Sequence, residues 1–297
     1  MTDEISSKYA FIVNPAAKSN RAVRQFEKLK PFILSEFPNA GIFLANNELT
    51  IEALCKEAIN KYDHIIACGG DGTVHIIGGI LYNTDTTLGI LPIGSGNDIA
   101  FSLEYPKDPI QVLRSLKNYK SGNIDVMNVN GIPGFNTIGI GLDGYINLLA
   151  NNKLTLFKKA RYLVSGAVAL TFYRKRNFSF FINEDRLNYR IKGWMLCAAN
   201  GKREGGRYLI SPLSVNDDGL IDFIFLKDIN RLKLFKEFIK LSLGYTFDKN
   251  IIDHHTARTM TLENAQDYHI HIDGEQYVFN DELNISVDAG GLRVIRP

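Results

Sequence analysis

His64-Ile65-Ile66-Ala67-Cys68-Gly69-Gly70-Asp71-Gly72-Thr73-Val74 is a short apolar run that ends in glycines gathered around one aspartate. A run of this length bounded by glycines predicts a strand buried on both faces, as in a parallel sheet. A turn with so few side chains lets a ligand approach the backbone, and its N–H groups can cradle an anion such as a phosphate. Asp71 would then stand beside that anion, where a carboxylate is repelled unless a cation lies between, so the pattern suggests a magnesium nucleotide site. The plainer alternative is a tight turn capped by aspartate.

The flanking sequence supports a parallel sheet. Upstream, Tyr9–Val13 reads as a buried strand and Asn14-Pro15-Ala16-Ala17 as a turn leading through Lys18 and Ser19 into a helix from about residue 20, with Val23, Phe26, Leu29, Phe32 and Ile33 at helical spacing. A second strand at Gly41–Leu44 precedes Thr50, a candidate cap for a helix carrying Ile51, Leu54, Ala58 and Ile59. Downstream, Val74–Leu81 predicts a helix and Leu88–Pro92 another buried strand. Strands and helices alternate with short connections, which predicts a parallel sheet whose ligands sit at the strand carboxyl ends. Three turns share that edge: Asn14-Pro15, Gly69–Thr73 and Gly94-Ser95-Gly96-Asn97-Asp98. The third again opens a helix, adding N–H groups and the Ser95 hydroxyl.

A length of 297 residues with 45% hydrophobic and 22% charged content predicts two globular domains. A net charge of +2 and a pI near 8.3 are too mild for a nucleic-acid-binding protein. Cys55, Cys68 and Cys197 are scattered and odd in number, so neither a disulfide framework nor a zinc site is expected. Acidic residues at Asp3 and Glu4 do not suit a signal peptide, and no apolar run is long enough to span a bilayer. The expectation is a cytoplasmic protein, at most peripheral at the inner membrane face.

After a helix at Gln111–Lys117 the texture changes to many short strands, at Phe135–Ile140, Phe178–Asn183, Arg186–Ile191, Trp194–Ala199, Leu220–Leu226, Met260–Glu263, Tyr268–Ile272 and Leu283–Val287. They predict a sandwich or barrel, with Asn183-Glu184-Asp185 as a hairpin turn. Gly139-Ile140-Gly141-Leu142-Asp143-Gly144 spells a dinucleotide-binding pattern but lacks its context, since Lys159 stands where an acid is required. An apolar stretch, Tyr162–Tyr173, has basic flanks (Lys158, Lys159 and Arg161; Arg174, Lys175 and Arg176) and reads as a core helix. Arg231–Leu243 reads as an amphipathic helix with Leu232, Phe235, Phe238 and Ile239 on one face. Either stretch is a candidate for contact with anionic lipid headgroups. His254-His255 reads as a solvated turn.

Asn14-Pro15, the GGDGT of residues 69–73 and Pro92-Ile93-Gly94-Ser95-Gly96-Asn97-Asp98 together resemble the diacylglycerol kinase catalytic domain family, which includes bacterial lipid kinases and sphingosine kinases. The resemblance implies an α/β nucleotide-binding domain with a parallel sheet over residues 1–127. A mainly antiparallel β-sandwich or barrel-like lipid-substrate domain over 128–290 follows, and 291–297 either returns to the first domain or ends the second. It implies ATP and Mg2+ as cofactors, with the nucleotide held by Asn14, Pro15, Gly69, Gly70, Asp71, Gly72, Thr73, Gly94, Ser95 and Asn97, and a weaker match at Thr50. Asp71 is cast as organiser of the catalytic magnesium. The Asp-Gly after the Ser211-Pro212 turn corresponds to a structural magnesium site, with Asp218 as side-chain ligand, the backbone carbonyls of Val215 and Leu220, and Asp125 nearby. In His271-Ile272-Asp273-Gly274-Glu275 the resemblance makes Glu275 the general base.

One departure is His75-Ile76, where bacterial members carry Asn-Glu. The implied activity is ATP-dependent phosphorylation of a hydroxyl on a diacylglycerol-like or sphingoid lipid at a membrane surface, with a homodimer as a candidate assembly. The alternatives are a kinase for a soluble alcohol, of the NAD kinase type, and a nucleotide- or lipid-binding regulator without catalysis.

Overall fold

The computed structural model describes residues 8–15, 21–151, 161–182 and 187–296. The turn residues Lys18 and Ser19, the basic flank Lys158-Lys159 and the hairpin at 183–185 lie outside the described residues. The chain forms two compact units, residues 1–124 with 290–297, and residues 125–289.

In the first unit the order is β1 (Tyr9–Val13), α1 (Arg21–Glu36), β2 (Gly41–Leu44), α2 (Glu48–Ala58), β3 (His64–Gly69), α3 (Asp71–Leu81), β4 (Thr87–Pro92), α4 (Asp98–Ser102), α5 (Pro109–Lys117) and the start of β5 (Lys120–Val129). β1, β2, β3 and β4 pair in parallel in the order β4-β3-β1-β2. β1 and β3 are buried at every residue, as continuous apolar runs require of a sheet covered on both faces. α1 packs with α5 and α2 with α3. Phe26, Ile33, Ile51, Ile77 and Leu113 on the helices and Phe11, Ile12, Ile65 and Ile66 on the strands are all buried. Register aligns Val13 with Cys68 and Gly69 with Pro92, so the turns after β1, β3 and β4 emerge level at one sheet edge. The helix cap expected at Thr50 is instead Asn47, which accepts from the Thr50 N–H and hydroxyl.

The second unit takes up the rest of β5, then β6 (Ile132–Gly134), β7 (Thr137–Gly141), α6 (Leu142–Asn151), α7 (Arg161–Phe172), β8 (Arg176–Ile182), β9 (Leu187–Ala199), β10 (Ile221–Lys227), α8 (Arg231–Ser242), β11 (Ile252–Ala257), β12 (Thr259–Leu262), β13 (Ile270–Ile272), β14 (Glu275–Tyr277) and the start of β15 (Leu283–Arg296). Its pairings are antiparallel. The end of β15 lies in the first unit, where Val294 pairs in parallel with Leu88 of β4.

Two strands expected at Arg186–Ile191 and Trp194–Ala199 are one, β9. Gly193 is not a break: a Cβ there would meet Phe225 Cζ at 2.4 Å and the Leu226 carbonyl at 2.5 Å, so the glycine admits a close neighbour inside the sheet. Alternation then sorts side chains to two cores. Leu196, Ala198, Phe223 and Phe225 enter the core between strands, while Met195, Cys197, Ile224 and Leu226 meet α6, α7 and α8. His254 and His255 lie on β11, not in a turn, and His254 pairs with Asp222 across the ladder with β10. All three cysteines are free and buried.

Of the two helices read as candidate membrane contacts, α8 turns most of the apolar face read in the sequence outward, whereas α7 departs from the core helix expected. On α8 the inward residues are Leu234, Glu237 and Leu241, whereas Leu232 (67% exposed), Phe235 and Ile239 face out. Both sides of the helix are apolar, and Glu237 is tolerated inside because it accepts from Lys240 and from the Asp248 N–H. α7 is no core helix: it packs through Ser165, Gly166, Ala169 and Leu170 and exposes Leu163, Val164, Val168 and Phe172 (70%). Among the described residues, no helix is long and apolar enough to cross a membrane.

Candidate active site

The turn after β3 and the turn after β4 interlock in the first unit. A Cβ on Gly94 would meet the Gly70 Cα at 2.2 Å, so the two backbones touch where any larger residue would collide. Asn97, at φ +56°, ties its turn together: its Oδ1 accepts from the Gly94 N–H and its Nδ2 donates to the Pro92 and Gly94 carbonyls. Asp71 Oδ1 accepts from the N–H groups of Asp98 (2.6 Å) and Ile99 (3.1 Å), capping α4 from the neighbouring turn. Asn14 Nδ2 donates to Thr73 Oγ1 at 2.9 Å, joining the turn after β1 to the same group. Gly70 is the N-cap of α3 and, as a glycine, gives that helix no side-chain cap. Ser95 is exposed, and Gly72 and Pro15 are half-buried at this edge. Thr50 lies in the first turn of α2, its hydroxyl engaged by Asn47.

In the second unit, β13 and β14 form a two-residue hairpin closed by Asp273 (φ +50°) and Gly274 (φ +94°), the conformation that Asp-Gly favours. Asp273 is buried and accepts from the N–H groups of Phe135, Asn136 and Thr137, so the turn is anchored and exposed Glu275 is its first outward residue. Gln276 donates to Asn147 Oδ1 and to the Gly144 carbonyl, and Asn151 donates to the Gly274 carbonyl. α6, missed in the sequence, is thereby wired to the hairpin.

An apolar pocket lies on the helix side of this unit. Ile146, Leu170, Met195, Leu226, Phe238 and Leu241 make its walls apolar, and its polar residues are Asp143, Asn147 and Glu204. None of those three was singled out in the sequence as a site residue. Only Asp143 carried a visible sign, as part of the pattern at 139–144.

Asp125 Oδ2 accepts from the Gly219 N–H at 2.7 Å and its own N–H donates to the Asn216 carbonyl, which fastens the loop bearing Val215, Asp218 and Leu220. Asp218 Oδ1 accepts from the Leu220 N–H. Desolvation, and then the charges of Asp125 and Asp222, push the Asp218 carboxyl above the usual carboxylate range. Crowded carboxylates and peptide oxygens form a donor set suited to a hard cation such as Mg2+.

These features mark a two-unit kinase architecture, and comparison with known proteins agrees. The pattern of the diacylglycerol kinase catalytic domain matches residues 8–129, and that of the YegS C-terminal NAD kinase beta sandwich-like domain matches residues 136–296. A Staphylococcus haemolyticus chain with a lipid-kinase name (SH2167) is 30% identical over 79% of both chains. The diacylglycerol kinase of Bacillus subtilis is 26% identical over 89% of this chain and 88% of its own. A Bacillus anthracis protein solved under a diacylglycerol kinase name superposes with a TM-score of 0.80 at 26% identity, covering 98% of this chain and 95% of that one. The chain belongs to the diacylglycerol kinase catalytic domain family of lipid kinases.

Proposed function

We propose that the chain is an ATP- and Mg2+-dependent lipid kinase acting on the hydroxyl of a diacylglycerol-like or sphingoid lipid. The observation that carries this reading is the apolar pocket whose polar residue Asn147 is hydrogen-bonded to Gln276, the neighbour of Glu275. An acyl or alkyl chain suits such walls and a dinucleotide does not. The turns at Asn14, Gly69–Thr73 and Gly94–Asn97 hold the nucleotide phosphates, and Asp71 organises the catalytic Mg2+. Glu275 takes the proton of the lipid hydroxyl as its oxygen attacks the γ-phosphorus and ADP leaves. Asp218 with the carbonyls of Val215 and Leu220, beside Asp125, holds a structural Mg2+. The exposed apolar residues of α7 and α8, with Arg174, Arg176 and Lys236 among them, rest on an anionic bilayer.

Incubation with labelled ATP and a panel of diacylglycerol, ceramide, sphingosine and phosphatidylglycerol, with NAD and no-acceptor controls, tests the reading. Label should enter a lipid. Label in NAD alone, or in no acceptor, overturns it.

A further inference from the structure

His271 lies on β13, the strand that leads into the turn before Glu275, and its ring is fully buried. Its partner across the ladder is Gly139 of β7, where a Cβ would collide with His271 Nε2, so the glycine makes room for an imidazole inside the sheet. Two acids from distant segments hold one edge of the ring: Nε2 is 3.1 Å from Glu204 Oε1 and 3.6 Å from Asp143 Oδ2. They draw the ring proton to Nε2. Nδ1 is thereby left as an acceptor, and it takes the Gly274 N–H at 3.2 Å.

That bond falls where the hairpin has none of its own. Ile272 pairs with Glu275, so the hydrogen bond that closes the turn ends on the Glu275 N–H and does not use that of Gly274. Gly274, at φ +94°, has no Cβ to limit its rotation. Its carbonyl accepts from Asn151 Nδ2 of α6 at 3.0 Å. With the N–H held by His271 and the carbonyl by Asn151, the peptides on both sides of Gly274 are fixed, and with them the direction of the Glu275 Cα–Cβ bond. Glu275 is exposed, so packing does not aim it; the backbone must.

We propose that His271, mounted on Glu204 and Asp143, is a positioning residue for the general base, acting through the Gly274 peptide with Asn151 as its counterpart on the carbonyl. The buried acids then serve to orient the ring. The link to catalysis rests on the kinase reading above, in which Glu275 is the base, whereas the clasp on Gly274 does not.

Two substitutions divide the contacts of the ring. His271→Asn keeps an acceptor where Nδ1 stands but does not reach the acids; His271→Gln reaches the acids with its amide but offers Gly274 no acceptor. In the full chain carrying isotope-labelled glycine, solvent exchange of the Gly274 amide should quicken about tenfold or more in His271→Gln and stay near wild type in His271→Asn. In the labelled-ATP assay kcat should follow the same order, falling about tenfold or more in His271→Gln with KM for ATP and lipid little changed, because the base is misplaced while binding is not. In a Glu275→Gln background His271→Gln should lower kcat no further, whereas a general loss of structure would still show. Asn151→Ala, at an exposed position, releases the carbonyl without opening the core and should show the same lack of additivity, which keeps the proposal testable where His271→Gln does not fold.

Gly274 exchange equal in His271→Gln and wild type overturns the proposal. So does a loss of kcat in His271→Gln or Asn151→Ala that Glu275→Gln leaves undiminished, or no loss in either. Quickened exchange alongside a fully active Glu275→Gln protein would refute the base and leave the clasp standing; unmoved exchange alongside an inactive Glu275→Gln protein would do the reverse.

Discussion

Asp71 and Asp98 are joined side chain to backbone: the Asp71 carboxylate, at the start of α3, accepts the Asp98 N–H at 2.6 Å and so caps α4 across two turns. The residue expected to organise magnesium therefore also ties together the two turns at this sheet edge. The two duties separate by substitution. Asp71→Asn keeps an acceptor oxygen and removes the charge; Asp71→Ala removes both. Turnover should be lost in each, but only Asp71→Ala should lower stability, by about 1 kcal/mol, the usual cost of a lost cap. Kinetics and chemical denaturation on the same pair check this, and substantial activity in Asp71→Asn would remove the magnesium role.

Glu275 stands exposed on a hairpin anchored by three backbone bonds to Asp273, so its replacement should leave the fold intact. Glu275→Gln should cut kcat by 10² or more with little change in KM, as expected for loss of a general base. A drop smaller than about tenfold assigns proton removal to another group.

At Asp218 the sign of the pH effect is set by crowding. Its pKa is higher folded than unfolded, so the native state holds the proton more tightly. Ionisation then lowers stability as pH rises past the ordinary carboxylate range. In chelator at neutral pH, Asp218→Asn should therefore melt at or above the wild type. Added Mg2+ should raise the wild-type melting temperature and leave the variant unmoved. A Mg2+ response equal in both would place the ion elsewhere.

The outward faces of α7 and α8 give a salt-dependent prediction. Sedimentation with anionic vesicles should weaken as salt rises, because the basic residues act through screened charge. Leu232→Glu with Ile239→Glu should weaken it further, since both side chains are exposed and their loss disturbs no core. Binding that ignores both changes would rule out this surface as the contact.

The parallel sheet and its turns were legible in the sequence because their chemistry lies in consecutive residues. Gly69–Thr73 and Gly94–Asp98 each combine a strand end, a small-residue bend and a helix start within a few positions. The Asp273-Gly274 hairpin announces itself the same way, since only certain residues accept two left-handed conformations in a row.

What needed the tertiary structure is whatever depends on strands meeting at long range. Gly139 pairs with His271 across β7 and β13, and that register sets His271 beside Asp143 and Glu204. No spacing rule links those positions. The same holds for α8, apolar on two sides, where the face turned inward is decided by the partner helix: the Phe238 ring occupies the space that a side chain on Gly166 of α7 would fill. Local backbone preference thus determined the turns and the alternation of elements. Packing between distant segments decided the pocket, its acidic end and the surface left exposed.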